Sequence, residues 1–103
     1  VTIDEFCEHA QHRFPDVDPS KLARSERRAI MLIFKKDFLP RVHVTGIEAI
    51  KAYVEWVHQH RELVRTVAQA IGRSQVNEYR IARYHTILAM RAEKLAEKVL
   101  ADA

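Results

Sequence analysis

The segment Ile71-Gly72-Arg73-Ser74-Gln75 separates two long amphipathic runs, residues 46–71 and 75–101, that together hold about half of the 103-residue chain. Gly72 suits the position just past a helix end, where a left-handed backbone costs a glycine little. Ser74 suits the N-cap of the helix that follows, because its hydroxyl can accept from an orphan backbone N–H. The segment therefore reads as a turn between two helices. Two architectures contain such a turn: an antiparallel helical hairpin, and a helix-turn-helix DNA reader.

The run before the turn carries two neighbouring apolar stripes. One is Ile47, Ile50, Val54, Val57, Arg61, Val64, Ala68 and Ile71, with the three-and-four spacing of a coiled-coil seam; the other is Ala49, Tyr53, Trp56, His60, Leu63, Val67 and Ala70. Both turn polar at His58-Gln59-His60-Arg61-Glu62, a waist at which one helix could become two. As one straight helix the run would span about 39 Å, more than the roughly 33 Å diameter of a compact globule of this length. Because the register of the first stripe continues across the waist, an unbroken helix is expected, with apolar surface left for another chain. After the turn, Ile81, His85, Leu88, Ala92, Leu95 and Val99 form the expected inward face of the last helix.

Upstream, Thr2-Ile3-Asp4-Glu5 is a capping-box pattern. It opens a short helix with apolar face Ile3, Phe6, Ala10 and Phe14, which Pro15 ends. Asp18-Pro19 reads as N-cap and N1 of a second helix within 19–39, and Ser25 as a further N-cap. The six apolar residues Ala29-Ile30-Met31-Leu32-Ile33-Phe34 make this the most buried segment, and Leu39-Pro40 stops it. Arg41 to Val44 reads as an extended connector, and Thr45-Gly46-Ile47-Glu48 as a second capping box. The expected fold is a single all-α domain of four helices. It has a short N-terminal helix, a buried second helix and a long C-terminal antiparallel hairpin.

Composition agrees. Two glycines and three prolines are too few for a sheet-rich protein. The single cysteine, Cys7, excludes an intrachain disulfide and fits a reducing cytoplasm. No apolar run approaches the roughly 20 residues of a membrane span, and no signal peptide opens the chain. A start at Val1 and an end inside a helical pattern fit a piece of a longer protein. The net charge of +3 permits an acidic or nucleic-acid partner without demanding one. Charge is uneven, acidic before residue 20 and basic from Lys21 to Arg41.

Chemistry is sparse. There is no glycine-rich phosphate loop and no nucleophile elbow, and Cys7 has acidic neighbours that oppose a thiolate. Glu55-x-x-His58 has di-iron spacing but no second copy, so neither metal nor other cofactor is expected. His58, His60 and Arg61 could line a polar cleft at the waist. Phe34, Phe38, Tyr53 and Trp56 fall on core stripes.

The expected function is a non-catalytic interaction module, self-associating or docking on a helical partner. Its packing and interface residues are Ile47, Ile50, Val54, Val57, Leu88, Leu95 and Val99, and no membrane or small-molecule substrate is inferred. The alternative is nucleic-acid binding through Arg73, Gln75, Asn77, Arg80 and Arg83, helped by Arg27 and Arg28. Against it stands Glu78, at a position where a DNA-reading helix normally buries an aliphatic side chain.

Overall fold

The computed structural model describes residues 2–42 and 44–102, with side chains described as far as Arg91. Five α-helices pack together among the described residues: α1 (Ile3–Arg13), α2 (Arg24–Ile33), α3 (Gly46–Gln59), α4 (Arg61–Gly72) and α5 (Val76–Asp102). There is no strand among the described residues, and no helix is long and apolar enough to cross a membrane.

Local signals explain most boundaries. Thr2 caps α1, its hydroxyl accepting from the Glu5 N–H at 3.3 Å. Asp18 caps a short 3-10 turn at Pro19–Lys21, accepting from the Ser20 N–H at 3.0 Å. The two Ser20 hydrogen bonds hold the Asp18 carboxyl below its usual range. α2 runs without interruption into a π turn, Phe34–Phe38, in which Leu39 N–H bonds the Phe34 carbonyl at 2.9 Å. Ser25 is not an N-cap. It lies inside the first turn of α2, against Gly72. The second capping box does not form either: Gly46 takes φ +64°, and the Thr45 side chain makes no cap hydrogen bond.

The largest departure from expectation is at the waist. The 46–71 run is not one helix. It breaks at His60, whose backbone (φ −120°, ψ 37°) is not helical. The break folds the run back into the globule, so both halves bury their stripes: Ile50, Val54 and Trp56 from α3, Val64, Val67 and Ala68 from α4. The polar waist residues supply the exposed corner. The surface that an unbroken helix would have left for another chain is largely covered by this chain itself. Across the 73–75 turn α4 and α5 pack against each other, but the first arm is α4 alone and α3 is a separate element.

α4 packs against both α2 and α5, and α1 against α3. Tyr53 is the centre of the core, 1 % exposed, with ring centroids 4.8 Å from Phe34, 4.9 Å from Phe38 and 5.5 Å from Phe6. Its hydroxyl donates to the Ile30 carbonyl, tying α3 to α2. The radius of gyration is 13.8 Å, near the roughly 13 Å expected of a compact chain of this length. The long dimension reaches 44 Å, in keeping with about 40 Å for the 27-residue α5.

Candidate interaction surface

α5 presents two dissimilar faces. The inner one carries small and polar residues: Ala82 and Thr86 are buried, Arg83 and Ala89 half-buried, with Met90 closing the row. Ala82 lets the neighbouring elements approach closely. The Thr86 hydroxyl donates to the Arg83 carbonyl one turn back, at 2.6 Å, so it enters the interior already satisfied.

Arg83 fixes which way the helix faces. Its Nε lies 3.0 and 3.1 Å from the two oxygens of Asp37, and its Nη2 lies 2.9 Å from one of them. Asp37 is 1 % exposed and lies in the π turn, on the Phe34–Phe38 face. A buried carboxylate demands a cation, and a planar guanidinium meets it through two parallel donors. The Asp37 hydrogen bond raises the Arg83 pKa further above its ordinary value.

With that face turned inward, the apolar stripe points outward. Ile81 is 58 % exposed, Tyr84 57 % and Leu88 39 %, with His85 exposed between them and Val76 at the helix start. Single exposed apolar residues are ordinary. Ile81, Tyr84, His85 and Leu88, at i, i+3, i+4 and i+7, share one exposed face of the helix. The inward face expected for Ile81, His85 and Leu88 is therefore corrected: a buried salt bridge outranks the apolar periodicity.

The predicted interface residues divide. Ile50 and Val54 lie in the core and Val57 is half-buried. Ile47 is exposed at the start of α3, and Leu88 lies on the outer face of α5. Leu95 and Val99 fall outside the described side chains. Of the basic set, Arg28, Arg73, Gln75, Asn77 and Arg80 are exposed. Arg83 is engaged by Asp37, and Arg27 donates to the Pro19 and Leu22 carbonyls. Glu78 is exposed rather than buried against α4. Residues absent from the sequence reading are Ile81 and Tyr84 as surface groups, and Asp37 with Arg83 as the pair that orients them. The signal available was an aspartate on the face of the most apolar helix.

Other chemistry is spoken for. Glu55 pairs with Arg13 and His58 stacks on Phe14 at 3.8 Å. No group of three or more metal-ligating side chains forms among the described residues. Burial pushes the Cys7 thiol up, away from a reactive thiolate. Comparison with family models, curated proteins and solved structures returns no match.

Proposed function

We propose that this chain is a non-catalytic helical interaction module of the cytoplasm. It self-associates, or docks on a helical partner in a larger assembly, through the outer face of α5. The observation that carries this reading is the row Ile81, Tyr84 and Leu88 standing exposed on a helix whose rotation is locked by Arg83 and Asp37. Burying one such side chain is worth roughly 1.5–3 kcal/mol, so covering the row is favourable. Light scattering across micromolar concentrations tests the self-associating form, with a dimer or larger species expected. A single monomer mass at the highest concentration would leave only a foreign partner.

A second reading, nucleic-acid binding, draws on one contact. A side chain at Gly72 would touch Ser25, so the start of α2 lies beside the α4–α5 turn and brings exposed Arg24 and Arg28 towards Arg73. Such binding would weaken steeply with salt. Reversing Arg80, which is exposed and holds no ion pair among the described residues, should reduce it; affinity unchanged by that reversal would remove α5 from the contact.

A further inference from the structure

The exposed row Ile81, Tyr84 and Leu88 on α5 has unlike borders. With about 100° between successive residues of a helix, Arg80 and Arg91 fall on the Tyr84 side of the row and Glu78 on the His85 side. Both arginines are exposed. They stand three turns apart, about 16 Å along the helix.

Neither arginine is answered within the chain. No carboxylate stands three or four places from either one in α5, where a helical ion pair would form. α4 and the π turn pack against α5, and their carboxylates are committed: Glu62 pairs with Arg65, and Asp37 with Arg83. Arg80 and Arg91 form no ion pair or hydrogen bond among the described residues. The row is therefore apolar at its centre and positive along one border.

We propose that the helical partner of this row carries carboxylates along one flank, about three turns apart, that meet Arg80 and Arg91. The inference rests on α5 being the contact face and names the chemistry of what covers it. A second copy of this chain answers the arginines less well. In an antiparallel pair like flanks face each other, which sets Arg80 of one copy beside Arg91 of the other. In a parallel pair unlike flanks meet, which sets Glu78 opposite Arg80 but only Ala89 opposite Arg91. Like charges brought together oppose association and opposite ones favour it. A helix with an acidic flank therefore displaces a second copy from the row.

Two labelled helical peptides test it by fluorescence anisotropy against the whole chain. Each has leucines at alternating three- and four-residue steps; one carries glutamate along both flanks of that row, the other lysine. The glutamate peptide should bind saturably and about tenfold more tightly than the lysine peptide. Arg80→Gln with Arg91→Gln should weaken it roughly five- to tenfold. Arg24→Gln with Arg28→Gln removes the same charge from exposed positions on α2 and should leave binding unchanged. Equal affinity for the two peptides would overturn the acidic flank, as would equal loss in the two double variants. The contact face is tested separately by Ile81→Gln with Leu88→Gln, which should abolish binding of the glutamate peptide. Binding that survives that change would place the contact off α5. Absence of binding by the glutamate peptide would overturn the proposal, and a parent that still self-associates through the row would assign the row to a second copy.

Discussion

Ser74, not Gly72, takes the left-handed conformation between α4 and α5, with φ +54°. The helix continues through Gly72, and Ser74 and Gln75 close it with bonds from their N–H groups to the Ile71 and Ala70 carbonyls, at 3.1 and 3.0 Å. That is the paired bonding of a Schellman ending, shifted two residues beyond the glycine. The turn itself is legible in the sequence. Its register is not, because Gly72 lies inside the helix, where neither a left-handed backbone nor a close neighbour requires a glycine. Substitutions separate the two assignments by sign. Ser74→Gly should stabilise by about 1 kcal/mol, since a side chain in that conformation is strained. Gly72→Ala should also stabilise, by about 0.5–1 kcal/mol, because a Cβ there meets Ser25 at an ordinary 3.7 Å. Urea unfolding measures both, and a loss at Gly72→Ala would restore the glycine to the left-handed position. Tyr53 is the other residue with a solution signature. Burial holds its pKa well above the usual tyrosine value, with Asp37 adding to the shift. The folded phenol keeps its proton where the unfolded one loses it. Its contribution is complete below about pH 10 and falls as pH rises above that. Burial of the Cys7 thiol acts in the same direction from a lower starting value. Tyr53→Phe should lose about 1 kcal/mol at neutral pH with the Ile30 hydrogen bond. It should also flatten the alkaline fall in a pH series of urea midpoints; an equally steep fall would assign that fall elsewhere.

At the scale of elements, the helices that read easily are those whose burial follows apolar spacing. In α1, Ile3, Phe6 and Ala10 face inward to some degree, as does Phe14 just past its end, and in α2 Ala29, Ile30 and Ile33 are buried, as the periodicity implies. α5 is different because its inner face has less apolar weight than its outer one. Tyr79, Ala82, Ala89 and Met90 pack against the core from the inner face, with Thr86 buried and Arg83 half-buried among them. The Asp37 carboxylate held by Arg83, and the Thr86 hydroxyl satisfied within the helix, favour that orientation although Ile81 and Leu88 face out. The pair is asymmetric, and its two single substitutions should differ. Arg83→Met strands a carboxylate that is 1 % exposed and should cost about 3 kcal/mol. Asp37→Asn leaves an arginine that is 34 % exposed and can turn towards water, at about 1 kcal/mol. Equal losses in urea unfolding would mean that the pair is not what holds α5 in register.

For the whole molecule, the all-α class follows from composition and capping, but the shape depends on one residue the pattern could not single out. The three-and-four spacing from Ile47 to Ile71 continues through the waist by way of Arg61, so the polar stretch His58–Glu62 marks where a break could fall but the spacing favours a continuous helix. Burial supplies the reason: folding at His60 lets α3 pack on α1 and α4 pack between α2 and α5, so both stripes are covered within the chain. The apolar surface left over is then moved from the expected hairpin seam to the outside of α5. A paired substitution, Ile81→Glu with Leu88→Glu, isolates that surface. Both positions are exposed, at 58 % and 39 %, so the monomer fold should change by no more than about 0.5 kcal/mol for each. In an associated state the new carboxylates would be desolvated without partners, at several kcal/mol together. Light scattering should therefore show the doubly substituted chain as a monomer at concentrations where the parent is larger, with an unchanged far-UV helical signal. A parent and variant of the same higher mass would move the contact off α5.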